Sequence, residues 1–246
     1  MSNAIVGYGF VGKATEYLFR DSEFVIHDPA QDMVIADWSD VELAFLCVPT
    51  PLKDGSLDLT ILSEVYDALP EHVIPVIRST IGPDQVELFP RAIFMPEFLR
   101  ENNWKEDVDD VNIPIILGAS QVPREHRVKL LKLISSTMKF LQVVSGKEAM
   151  MFKMARNTAL AMTVALANEL YQICLAEEMS YPTLMGMLTD DEVLASSHWQ
   201  VPGPDGDLGF GGKCLPKDMT HMSNLSDAEF NIMKTALLAN AQRRPI

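Results

Sequence analysis

Cysteine, positive charge and long apolar runs are all scarce in this chain. Its three cysteines, Cys47, Cys174 and Cys214, are odd in number and lack paired spacing, which argues against a disulfide framework and for a reducing compartment. Lys and Arg total 20 against 34 Asp and Glu, for a net charge of −14. That is the wrong sign for a protein whose affinity comes from neutralising nucleic-acid phosphates. No run of 18 apolar residues occurs, and the N-terminus lacks a basic stretch leading into an apolar one, so neither a membrane span nor a secretory leader is expected. The five histidines show no metal-ligand spacing, so no metal site is assigned. The expectation is a soluble, cytoplasmic protein with no nucleic-acid or membrane partner. An anionic small ligand stays open, because helix N-termini bind phosphate whatever the net charge.

What the chain does contain is an ordinary globular composition, 48% hydrophobic and 22% charged, enough to bury a core. Residues 3 to 7 form a short apolar run that breaks into Gly7-Tyr8-Gly9-Phe10-Val11-Gly12, and a helix-like stretch follows to Arg20. A second strand, Phe24 to His27, ends in Asp28. Further strand-like runs lie at 43–48, 73–77 and 92–95, separated by segments long enough for crossover helices, and at 113–118 and 140–144. Continuous apolar runs of this kind suit parallel strands covered on both faces, with Pro114 demoting its run to an edge or a strand start. Residues 124–136 read as a helix.

From Lys147 to about Glu178 the chain lacks Pro and Gly and is rich in Ala, Met and Leu, which predicts one long helix apolar almost all round. A shorter helix follows Pro182, and Thr189 to Glu192 resembles a capping box. A loop spans 201–212, and a last helix opens at Ser226 and Asp227. The expected fold is α/β: a Rossmann-type parallel sheet domain over residues 1–145, then an all-helical segment, 146–246, built on the long central helix.

Gly7, Gly9 and Gly12 form a dinucleotide fingerprint because they follow a strand, open a helix, and are answered by an acid at the end of the next strand. Asp28 there suits a ribose 2′-hydroxyl and repels a 2′-phosphate, so NAD is expected rather than NADP; the competing reading is a cap or a solvated loop acid. Val48-Pro49-Thr50 and Ser79-Thr80 close two further strands, at the end where open α/β sheets bind ligands, or else are turn chemistry. Glu97 and Glu101 would share a face if their segment were helical, and could equally be surface acids. Lys153 and Asn157, also four apart, share a face of the long helix; the ammonium either reaches water past an apolar stem or lines a cleft. Cys214 lies on a glycine-rich loop, Gly209-Phe210-Gly211-Gly212, and is followed by Pro216-Lys217-Asp218. Those neighbours favour an accessible thiol over a buried small hydrophobe.

Taken in order, these segments, with Phe98, Leu99 and Asn168-Glu169, resemble the UDP-glucose and GDP-mannose dehydrogenase family. The resemblance implies oxidation of a nucleotide sugar's C6 alcohol to a carboxylate with two NAD molecules in succession. Cys214 would be the nucleophile, Lys153 and Asn157 would act on the C6 oxygen, Asp218 and Thr80 would position water, and Glu97 would accept a proton. The glycine loop with Phe98 and Leu99 would hold the sugar and phosphates. Glu101 and Lys217, with the glycine fingerprint, Asp28, Val48 to Thr50 and Ser79-Thr80, would face the cofactor. A homodimer through the long helix is expected. Family members usually continue into a further α/β domain, so the resemblance also implies a short form lacking the C-terminal nucleotide-binding domain. A catalytically incomplete, NAD-binding dimerising module is the alternative.

Overall fold

The computed structural model describes residues 2–135, 137, 140–191, 198–225 and 231–244. They divide into two compact units, Met1–Pro51 with Leu57–Lys153, and Leu52–Ser56 with Met154–Ile246.

In chain order the strands are β1 (Ser2–Val6), β2 (Phe24–His27), β3 (Val41–Leu46), β4 (Leu52–Lys53), β5 (Ser56–Leu57), β6 (Ile74–Ile77), β7 (Ile93–Phe94), β8 (Ile115–Gly118) and β9 (Leu141–Val144), and all but the small β4–β5 hairpin, most of which belongs to the second unit, build the first. Seven of them form one sheet in the order β2-β1-β3-β6-β7-β8-β9. Strands β6 and β8 are buried along their whole length and β3 almost so, whereas the edge strands β2 and β9 are only half-buried. That difference is why the central runs read as continuously apolar. Ile5, Phe45, Val76, Ile93 and Leu117 form the core, with Phe19, Leu130 and Ile134 packed on it.

Helices α1 (Phe10–Leu18), α2 (Thr60–Ala68), α3 (Trp104–Asp109) and α4 (Arg124–Ile134) belong to this unit. Two expectations change. Between β6 and β7 there is no crossover α-helix but a 3-10 segment, Pro83–Leu88. And β8 runs antiparallel to β7, because residues 95–114 turn back at the end of β7 instead of crossing the sheet. Beyond Pro96 the segment lays α3 along α1, where Tyr17 and Arg20 both bond to Asp109.

Helix α5 (Gly146–Ala176) begins in the first unit and continues into the second, where α6 (Tyr181–Asp190), α7 (Leu215–Asn224) and α8 (Ile232–Arg243) follow. Ala161 packs with Phe210, Met219 and Ala236, and Ala167 and Cys174 pack with Tyr181 and Trp199. The all-round apolar character of α5 is thus only partly used. Met151, Phe152, Leu166, Ile173 and Leu175 are each 44% exposed or more. By length and composition α5 could also cross a membrane, with mean hydropathy 1.4 over a window that is 22% buried. Helix α8 opens at Asn231, whose side chain accepts from the Met233 and Lys234 N–H groups. Ser226 and Asp227, the expected start, lie outside the described residues, as does Glu192 of the expected capping box.

Candidate functional site

In the first unit the fingerprint glycines are required for different reasons. Gly7 has φ +87°, and a Cβ on it would come within 2.9 Å of the Cys47 carbonyl oxygen. A Cβ on Gly12 would lie 2.3 Å from the Gly7 oxygen, so α1 could not approach β1. Gly9 faces open space, where a ligand's backbone contact would need it bare. Asp28 Oδ2 accepts the Tyr8 N–H at 2.7 Å and Gln31 Nε2 at 2.8 Å. The Tyr8 amide, aided by Gln31, holds the Asp28 carboxyl below the usual carboxylate range. This is a cradle that a Cβ would fill, with an ionised acid beside it, and it fits a dinucleotide. Tyr8 itself turns its phenol to Glu16, which raises that phenol to about 12.

Thr50 and Ser79 knit adjacent strand ends together. Thr50 Oγ1 donates to the Thr80 carbonyl at 2.6 Å and Ser79 Oγ to the Val48 carbonyl at 2.7 Å. Their hydroxyls shape the loops, while Pro49 is exposed and Thr80 half-buried at the rim. Behind them Cys47, its thiol pushed up to about 11 chiefly by burial, is a poor nucleophile.

Glu97 and Lys153 form the buried charged centre of this unit. Lys153 Nζ donates to Glu97 Oε1 at 2.8 Å, with side chains 3% and 5% exposed, and Leu99 N–H donates to Glu97 Oε2 at 2.7 Å. Burial pushes the Glu97 carboxyl up, but Lys153, the Leu99 amide and Arg78 outweigh it and leave the group below its ordinary value. So Lys153 does not reach water, and Glu97 is not a surface acid. The segment is not helical, so Glu97 and Glu101 do not share a helix face: Glu101 is exposed in a turn while Glu97 is buried.

Two residues that sequence reasoning missed shape this centre. Buried Arg78 has an Nε with no hydrogen-bond partner among the described residues, and burial lowers its pKa. Buried Asp107 accepts from the Arg100 backbone N–H at 2.6 Å and from Arg100 Nη2 at 2.6 Å, fixing the loop that carries Glu97. A carboxylate seven residues beyond an arginine, without helical phase, leaves no readable signal. Arg78, Glu97, Phe98, Leu99 and Asp107 border a cavity of about 30 Å³, room for a water or two and far below a nucleotide.

In the second unit Cys214 is the N-cap of α7, partly exposed, as expected for an accessible thiol. Asp218, one turn on, is fully buried and doubly bonded: Asn157 Nδ2 donates to Oδ2 at 2.6 Å and Lys217 Nζ to Oδ1 at 2.7 Å. Lys217 therefore has a carboxylate partner already. Upstream, Gly209 and Gly212 take positive φ, +73° and +75°. The Arg244 guanidinium lies against Gly211 and pairs with Asp205 at 2.6 Å and Asp207 at 3.1 Å. Glu169 pairs with Arg243 at 2.8 Å.

A mostly parallel sheet with a glycine-tight first βα turn and an acid ending β2 is the fold of the dinucleotide-dependent dehydrogenases. Residues 147–242 match the model of the UDP-glucose/GDP-mannose dehydrogenase family, central domain. The chain is 28% identical to the UDP-glucose 6-dehydrogenase of Rickettsia typhi, the match covering 84% of this chain and 51% of the relative. It is 28% identical to the GDP-mannose 6-dehydrogenase of Azotobacter vinelandii, over 81% and 51%. A UDP-glucose dehydrogenase structure from Pyrobaculum islandicum superposes with TM-score 0.83 at 21% identity, covering 98% of this chain and 68% of that one. Its similarity to UDP-glucose and GDP-mannose dehydrogenases runs along most of the chain, which spans about half the length of these two curated relatives.

Proposed function

We propose that this chain carries out NAD-dependent oxidation of a nucleotide sugar's C6 alcohol to the carboxylate, with Cys214 as the covalent nucleophile. The observation that carries this reading is the thiol at the start of α7, one turn from a buried Asp218 held by Asn157 and Lys217. Gly7 to Gly12 and Asp28, with Val48 to Thr50, Ser79, Thr80 and Glu101, would hold NAD, which when bound supplies the hydride acceptor for both oxidations. The alcohol loses two electrons and becomes an aldehyde. Cys214 sulfur adds to that carbonyl, giving a thiohemiacetal that cannot diffuse away. Its oxidation leaves a thioester, and water releases the acid and regenerates the thiol. The sum is one alcohol, one water and two NAD giving one carboxylate, two NADH and three protons.

In this reading Lys153 stabilises negative charge developing on the C6 oxygen, and Glu97, its ion-pair partner, takes up the proton. Asn157 orients the reacting oxygen, and Asp218 and Thr80 place the hydrolytic water. Phe98, Leu99 and the backbone of Gly209 to Gly212 line the sugar's seat. Lys217 serves the cofactor side by steadying Asp218. A soluble, cytoplasmic homodimer joined through α5, with no nucleic-acid or membrane partner, completes the proposal; the uncovered apolar side chains of α5 support it. The test is NADH yield with UDP-glucose and UDP-N-acetylmannosamine. Two NADH per sugar are expected, with Cys214→Ser stalling before acid release; a folded, NAD-binding sample that makes no NADH would leave only a non-catalytic module.

A further inference from the structure

The loop carrying Cys214 is fastened by two asparagines from different helices. Asn240, on α8, spends both ends of its amide on one residue: Oδ1 accepts the Phe210 N–H at 2.8 Å and Nδ2 donates to the Phe210 carbonyl at 2.9 Å. Asn168, on α5, accepts the Gly209 N–H at 2.9 Å while its Nδ2 holds the Val164 carbonyl at 2.8 Å. Both side chains are buried, at 2% exposure, so water cannot replace them and each loss would strand backbone groups. The chemistry is specific. Only an amide offers a donor and an acceptor side by side; a carboxylate would aim a lone pair at the Phe210 oxygen, and a leucine would satisfy neither group.

The turn and the clamp are fitted to each other. Gly209 takes φ +73°, and a Cβ there would meet Asn240 Oδ1 at 2.4 Å. Phe210 in turn packs in one cluster with Met219 of α7. The Gly209 and Phe210 amides are thus both committed to asparagine side chains.

We propose that Asn240, supported by Asn168, is a positioning residue for Cys214, setting the Gly209-Phe210 turn and, through Phe210 against Met219, the thiol's place at the first turn of α7. The proposed oxidation supplies only the purpose of Cys214; its placement can be tested without NAD or sugar. The readout is iodoacetamide labelling of the full chain, followed at the Cys214 peptide. A thiol at a helix N-terminus owes its reactivity to thiolate stabilisation there, so loosening the turn should slow labelling.

Asn240→Ala and Asn240→Leu are expected to label at Cys214 about tenfold more slowly, a loss of the size that small misplacements of reacting groups produce. Asn240→Asp, which keeps the acceptor but turns a buried lone pair on the Phe210 oxygen, should label no faster than Asn240→Ala. Asn231→Ala removes the N-cap of the same helix and a bond to the Ser223 carbonyl, more than two turns from Cys214 at the other end of α7, without touching the loop, and should label within about twofold of the parent, since these losses affect stability, not this turn. If Asn240→Ala does not fold, Asn168→Ala serves in its place with the same expectation. Equal Cys214 labelling in the clamp variants and in Asn231→Ala overturns the proposal. Slowed labelling in a protein that yields no NADH from any nucleotide sugar would support the clamp while sinking the dehydrogenase reading.

Discussion

Removing Lys153 leaves the Glu97 carboxylate charged where water cannot reach it. Lys153→Met should therefore cost about 3–5 kcal/mol in urea unfolding, and adding Glu97→Gln should recover much of that, because breaking a buried pair is worse than deleting it. The same pair sets an acid limit. Since the folded state holds Glu97 below its ordinary value of 4.5, it contributes stability at neutral pH that is lost as pH falls below that value. An acid titration of unfolding should show a shallower loss in Glu97→Gln, and an unchanged profile would contradict the ion pair. At the nucleotide turn, Gly12→Ala should abolish NAD binding by calorimetry, because its Cβ falls 2.3 Å from the Gly7 oxygen. Gly9→Ala meets nothing within 4 Å and should leave thermal stability near parental while weakening NAD, since only the ligand needs that space.

Single elements carry smaller, cleaner costs. Asn231→Ala should lower stability by about 2 kcal/mol, as a lost N-cap together with a lost bond to the Ser223 carbonyl, and Phe45→Ala, fully buried in β3, by about 3–5 kcal/mol; urea midpoints distinguish the two. Elements were legible in the sequence where burial on both faces left unbroken apolar runs, as in β3 and β6, and where helix propensity was sustained, as in α5. Strand direction was not: an apolar run such as 113–118 looks the same parallel or antiparallel, and only the length and route of the preceding connection decide. The β4–β5 hairpin did carry a signal, Asp54-Gly55, with φ of +50° and +81°, the pattern of a tight two-residue turn, but its strands are too short to show alternation. Of the candidate site, glycines and the cysteine loop stand out because close approach restricts residue choice. Asn240 does not, because both its bonds go to backbone groups of Phe210 that any sequence supplies, and Asp107 does not, because nothing in the spacing marks Arg100 as its partner.

At the scale of the molecule, Leu166 and Ile173, seven apart on α5 and 50% and 52% exposed, predict self-association. Leu166→Glu with Ile173→Glu should shift sedimentation toward monomer and raise solubility, and an unchanged mass would remove α5 from the interface. Lys153 has a different consequence for how the chain can be cut. The sheet is complete by Val144, so a fragment of residues 1–145 keeps every strand, yet it omits the cation that neutralises Glu97. Such a fragment would be a nucleotide fold whose central carboxylate keeps only Arg78 and the Leu99 amide against it. It should express poorly or ionise abnormally, whereas one extended two turns to residue 153 should fold, which makes those two turns of α5 part of the nucleotide unit's own minimal gene.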